Sequence, residues 1–369
     1  MKKIVMMVKC IDTDGGVERM IPILTRALSC YYNCSILSLF GLKKSLHNID
    51  DLNVIKLYDG FRRLRFIFFS TIYNLIRIIR KEKINIFIIH ARGSQIMPLL
   101  VKLFINTKII FCEHSSIAQK EFLKKSFKEK TYDCIFQFCI NKFSDRIVLL
   151  TEKERKYYLL NNPSTERKLK VIPNFIDNKL LYNLKKYNYH SKEIITVGRI
   201  DYAKGFEYLI DVAKLVFKKH LDWQWHIYGD GDIEYKNKII DLIEQNNLEK
   251  HVILQGNYFD IYDLYQNYSF CVMTSRYEGL PMVLLEAKAK KLPLVSFDIN
   301  SGPSDIIREG IDGFLIKPFD CETMANKICE LIEKPKLRQK LSNNAHGNID
   351  RFTKEKIIKE WNDLIDEIK

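Results

Sequence analysis

Twice along this chain a short apolar run ends in a glycine-bearing loop, and a helix-patterned segment follows at once. No other feature restricts the fold as much. Residues 1–10 form the first run. Gly15 and Gly16 follow it, and residues 17–30 then place Met20, Ile23, Leu24, Ala27 and Leu28 at helical spacing. Residues 193–197 form the second run, followed by Gly198, Gly205 and a helical pattern over residues 206–218. A strand that hands over to a helix through a glycine turn is a unit of a parallel sheet, with the amides of the helix start facing the loop. A chain of 369 residues is also too long for one ordinary core. The expected fold is α/β with two domains, residues 1–175 and 190–345. Residues 178–191 are expected as a polar linker, and residues 346–369 as a terminal helical segment.

Apolar residues make up 47% of the chain, yet no uncharged apolar run reaches the roughly 18 residues of a membrane span. The start imitates a secretion signal, but its apolar run covers only residues 4–8 before Lys9, so it reads as a buried strand. The nine cysteines are scattered, with no Cys-x-x-Cys pair and no zinc-spaced set. Cys30 with Cys34, and Cys134 with Cys139, lie in apolar stretches and are expected to be small buried thiols. That usage implies a reducing compartment and a cytoplasmic protein. Charge is lopsided: residues 1–175 hold 31 Lys and Arg against 15 Asp and Glu, and residues 176–369 hold 28 against 30. A basic first half suits an anionic partner such as an acidic membrane surface, a phosphorylated acceptor or nucleic acid.

Residues 275–290 carry the densest chemistry. Residues 270–273 read as a buried strand, Gly279 and Pro281 break the chain, and residues 282–290 read as a helix. Proline suits the first helical position because its missing N–H has no partner there. The amides of Leu280, Met282 and Val283 then face the loop, and a helix start attracts phosphate. Glu278 and Glu286 flank it. Carboxylates do not accept hydrogen bonds from phosphate oxygens, so these two call for hydroxyl donors. A diphosphate between two polyol rings, as in a nucleotide-sugar, meets all three demands. Arg199 and Lys204 add two cations beside the second glycine loop, which suits a departing diphosphate. In the first half, His114 follows the apolar residues 108–112, at the carboxyl end of an expected strand, where open α/β sheets bind ligands.

Glu278-x7-Glu286 with its internal Gly-x-Pro resembles the signature of retaining glycosyltransferases of family 4, which have the GT-B fold. So do, in order, Gly15-Gly16-x-Glu18-Arg19, His114, residues 170–177 with Phe175 where the family has glycine, Arg199 with Lys204, and Gly229 to Gly231. The resemblance spans the whole chain. It implies two Rossmann-like domains facing across a cleft, the acceptor held by the first and the nucleotide-sugar by the second, and a last helix that crosses back to the first. It implies donor contacts at Gly15, Gly16, Arg199, Lys204, Gly229, Leu280, Met282, Val283 and Glu286, with Glu278 and His114 placed at the sugar. It also implies transfer with retention and no metal cofactor. Asp12 with Asp14, and Asp230 with Asp232, share the Asp-x-Asp spacing of metal-dependent transferases of another fold, but their positions match the metal-free pattern. The donor is expected to be UDP-linked and the acceptor lipid-linked or a surface polysaccharide.

Two rival readings share these residues. A nucleotide-sugar epimerase uses the same fold and phosphate chemistry without an acceptor. A basic, non-enzymatic nucleic-acid-binding protein accounts for the charge, although no RNA- or DNA-reading motif is present. Residues 61–83 and 120–130 mix lysine and arginine with aromatic and aliphatic residues. Both suit either solvated basic helix faces or contact with anionic lipid, the latter placing the protein at the inner face of the plasma membrane.

Overall fold

The computed structural model describes the chain except residues 14, 43–47, 91–95, 115, 117–118, 124–125, 183, 185, 259–260 and 369, and the side chains of residues 64, 65, 120 and 121. It contains two parallel sheets. The first comprises β1 (Lys3–Cys10), β2 (Asn33–Gly41), β3 (Val54–Asp59), β4 (Ile86–Ile89), β5 (Lys108–Cys112), β6 (Arg146–Leu149) and β7 (Leu169–Val171), ordered β3-β2-β1-β4-β5-β6-β7. The second comprises β8 (Glu193–Val197), β9 (Gln224–Tyr228), β10 (Val252–Gly256), β11 (Phe270–Met273), β12 (Leu294–Phe297) and β13 (Gly313–Ile316), ordered β10-β9-β8-β11-β12-β13. Strand order reverses between β1 and β4 and again between β8 and β11. Crevices open at the carboxyl ends of strands at such reversals.

Central strands are buried on both faces, so they read as unbroken apolar runs rather than alternating ones. In the first core Val5, Met7, Phe87, Ile89 and Phe111 pack with Leu75, Ile79, Leu99 and Ile140 of the covering helices. In the second, Ile194, Trp225, Ile227, Phe270 and Val272 pack with Leu209, Ala213, Val216, Ile328 and Leu331. The chain divides into two compact units, Met1–Pro173 with Ile357–Lys369, and Asn174–Lys356. The helix Lys354–Glu367 joins the first unit through Trp361, whose ring lies 6.4 Å from that of His90, and through Ile365, whose carbonyl accepts from Lys2 Nζ at 2.9 Å.

Several local expectations needed correction. Residues 41–60 are polar and mixed in sequence, yet β3 lies among them; as an edge strand it is only partly buried and shows no clean alternation. The helix Phe127–Phe143 opens with a reciprocal capping box formed by Ser126 and Glu129. The polar linker is packed into the second unit: Leu180 is buried, the Tyr187 hydroxyl donates to the Ser269 carbonyl, and Arg338 donates to the Tyr189 carbonyl at 2.6 Å. All nine cysteines are free, but Cys30 and Cys134 are exposed rather than buried. No helix among the described residues is long and apolar enough to cross a membrane.

Candidate functional site

The reversal between β8 and β11 brings Lys204 and Glu278 together. Lys204 Nζ lies 2.5 Å from Glu278 Oε1, and Ser275 Oγ donates to the same oxygen at 2.6 Å. The two loops that carry them are stitched to each other. Arg276 N–H donates to the Ala203 carbonyl at 2.7 Å, and Thr274 Oγ1 to the Lys204 carbonyl at 3.2 Å. Gly205 takes φ +63°, and a Cβ there would meet the Thr274 carbonyl oxygen at 2.5 Å, so only glycine lets the loops close. Arg276 was not singled out by the sequence. Its guanidinium donates to the Tyr202 carbonyl at 2.6 Å and to Glu207 at 3.1 Å, and lies 4.1 Å from the Tyr202 ring centre. It therefore fixes the loop that presents Lys204. Its place beside Ser275 in the signature stretch was the available signal.

The helix Met282–Ala289 follows Pro281, which is its N-cap rather than its first residue. The amides of Leu284 and Leu285 reach back to the Pro281 carbonyl at 3.1 and 3.4 Å. Those of Met282 and Val283 precede these bonds and have no carbonyl within the helix to serve them. This helix is buried on nearly all sides, and each charge on it has a partner. Glu286 Oε2 accepts from the Tyr265 hydroxyl at 3.1 Å; burial and the nearby carboxylate raise that phenol's pKa well above its usual value, so it remains a donor. Lys288, fully buried, donates to Asp312 Oδ2 and to the Ile306 carbonyl, each at 2.7 Å. Neither Tyr265 nor Asp312 was legible as a partner, because each contact joins segments far apart in sequence.

Arg199 stands apart from this pair. Its side chain is 68% exposed and is held by Asp201 at 2.7 Å. Gly229 has a structural reason: at φ +139° a Cβ would meet the Gly198 carbonyl oxygen at 2.0 Å. Asp230 is engaged by Lys236 at 2.9 Å, and Asp232 caps the helix Ile233–Gln245 through Tyr235 N–H at 2.8 Å.

In the first unit, Gly15 caps the helix Gly16–Ser29 in an extended conformation, and a Cβ at Gly16 would meet nothing within 4 Å. The fold itself does not demand glycine at residue 16. Asp12 is fully buried and accepts from Leu42 N–H at 2.7 Å and Lys56 Nζ at 2.8 Å, a structural role. Asp14, its partner in the Asp-x-Asp spacing, lies outside the described residues, as do Lys124 and Lys125 of the basic run. His114 follows β5, and its Nε2 lies 2.9 Å from His90 Nδ1. Burial lowers the His114 pKa to about 4, so near neutral pH it is an uncharged hydrogen-bonding group. His90, Cys112 and His114 bring three possible metal-binding atoms within 4.8 Å of one another. Burial lowers both imidazole pKa values and raises that of the Cys112 thiol well above its usual value. The two imidazoles share one hydrogen bond, and His90 Nε2 is buried without a hydrogen-bond partner among the described residues.

Comparison with known proteins agrees with this fold and these motifs. The family described as Glycosyltransferase Family 4 matches residues 14–180, and Glycosyl transferases group 1 matches residues 185–347. The amylovoran biosynthesis glycosyltransferase AmsD of Erwinia amylovora is 28% identical over 373 residues, covering 99% of this chain and all of that protein. A poly(ribitol-phosphate) alpha-N-acetylglucosaminyltransferase of Staphylococcus aureus is 34% identical over 219 residues, covering 59% of this chain and 43% of the other. HepE of Anabaena, solved with UDP-glucose, superposes with a TM-score of 0.83 at 15% identity over 99% of both chains, a likeness of fold. With the two family matches together spanning residues 14–180 and 185–347, the chain belongs to the family 4, group 1 glycosyltransferases and has their GT-B fold.

Proposed function

We propose that this glycosyltransferase takes its sugar from a UDP-linked donor and passes it, with retention at the anomeric carbon and without a metal cofactor, to a lipid-linked or surface-polysaccharide acceptor. The observation that carries the reading is the Lys204–Glu278 pair at 2.5 Å, set where the strand order reverses and beside the start of the helix Met282–Ala289. A diphosphate there meets the Lys204 ammonium and the amides of Leu280, Met282 and Val283, and these groups stabilise the charge that develops as the nucleotide departs. Arg199 reaches the phosphates by leaving Asp201, its own side chain being 68% exposed. Glu286 takes the ribose hydroxyls, and Glu278 accepts from a sugar hydroxyl. At Gly16 a Cβ would meet nothing within 4 Å, so a ligand can approach the backbone there.

Support for the donor and acceptor classes comes from relatives: HepE was solved with UDP-glucose, and AmsD is named for amylovoran biosynthesis. The matches favour transfer over the epimerase and nucleic-acid readings. The test is incubation of UDP-sugars with a glycan acceptor, followed by NMR of the product's anomeric proton, with and without EDTA. The expected product keeps the donor's anomeric configuration, and EDTA leaves the rate unchanged. An inverted product, or activity lost to EDTA and restored by Mn²⁺, would overturn the mechanism.

A further inference from the structure

Three neighbouring helical segments cover one face of the first sheet: Leu64–Glu82, Ile96–Leu100 continuing through the turn Val101–Leu103, and Phe127–Phe143. Their inner sides share one core through Ile67, Leu75, Ile79, Leu99, Val101 and Ile140. Their outer sides are apolar too. Phe66, Phe69 and Tyr73, three and four residues apart on the first helix, are 72%, 83% and 66% exposed. Leu103, Phe104, Ile135 and Phe138 are exposed on the next two segments, and Arg80 ties the first helix to the second by donating to the Phe104 carbonyl at 3.2 Å. Cations accompany them. Arg62, Arg63, Arg77, Arg80 and Lys81 are exposed, and Lys142 lies 5.4 Å from the Phe138 ring centre. Residues 61–83 contain seven Lys and Arg and a single carboxylate, Glu82, which is 3.7 Å from Lys3.

Resting on the reading of a lipid-linked acceptor, we infer that this three-helix outer face is a docking surface for an anionic lipid bilayer. Large apolar groups clustered outward on a monomer mark an interaction surface. Aromatic rings flanked by arginines on one helix face match an interface that is apolar within and negative at its edge. Two copies of the same face would set like charges against each other, which disfavours self-association. The surface extends beyond the 61–83 helix to the turn at Leu103 and to Ile135 and Phe138, which lie outside the basic run at residues 120–130.

Flotation of the full chain with phosphatidylglycerol/phosphatidylethanolamine vesicles, compared with phosphatidylcholine vesicles, tests this inference. The chain is expected to float with the first, to remain below with the second, and to be released by high salt. Phe66→Ser/Phe69→Ser/Tyr73→Ser is expected to lower the vesicle partition coefficient at least tenfold. Arg63→Gln and Arg77→Gln are each expected to lower it roughly fivefold. The melting temperature, and its rise on adding UDP, should remain as in the unaltered chain, which separates docking from folding and from donor binding. A wild-type chain that stays below with anionic vesicles, or a triple variant that floats equally well, would overturn the inference. So would a concentration-dependent dimer in sedimentation that the triple variant abolishes, which assigns the face to a second copy, or RNA binding at physiological salt lost with the same aromatics. Flotation without any UDP-induced shift leaves docking standing and removes the donor reading instead.

Discussion

Lys204→Ala is expected to lower kcat by about 10²–10³-fold, the loss that follows removal of one preorganised donor at a site of developing charge. Lys204 is the cation that the fold invests in. Its loop is closed by Gly205, anchored by the Arg276 N–H on the Ala203 carbonyl, and pinned by the Arg276 guanidinium on the Tyr202 carbonyl. Its ammonium is thus delivered to the crevice with little freedom to lose when the transition state forms. Arg199→Ala is expected to cost clearly less, because that side chain is mostly exposed and already shared with Asp201. Steady-state kinetics on both variants, alongside their melting temperatures, check the contrast. Similar losses in the two, or near-normal turnover in Lys204→Ala, would remove Lys204 from the chemistry.

The second large effect concerns the ground on which the helix Met282–Ala289 stands. Asp312→Ala is expected to destabilise the second unit by about 3–5 kcal/mol, because it strands the fully buried Lys288 with only the Ile306 carbonyl. The same carboxylate accepts from Arg308 Nε at 2.6 Å and from Arg308 N–H at 2.9 Å, so its loss opens three bonds beside the site. Lys288→Met is expected to be milder, since Asp312 keeps Arg308. Urea unfolding followed by tryptophan fluorescence distinguishes the two, Trp223 and Trp225 both lying in the second unit's core. Equal and small losses would show that Lys288 is held by something other than this carboxylate.

What the sequence disclosed follows from the range of the forces involved. The strands β8 and β11 and the helix after Pro281 were legible because each is written locally, in an apolar run, a glycine or proline break, and a helical pattern. Lys204 and Glu278 were each singled out, but their contact with one another was not legible, because they are 74 residues apart. Tyr265 and Asp312 were silent, since a phenol or a carboxylate shows no periodicity that names its partner, and Arg276 was marked only by its place in the signature stretch. The edge strand β3 escaped because partial burial relaxes the alternation that marks a strand. Gly229 was read as a ligand contact, yet its φ and its contact with the Gly198 carbonyl give it a reason within the fold.

The most direct test of the central claim is a crystal structure of the chain with UDP bound. The diphosphate is expected within hydrogen-bonding distance of Lys204 Nζ and the Met282 and Val283 amides, with the ribose hydroxyls on Glu286. UDP bound elsewhere on the chain, with those groups making no contact to it, would contradict the account.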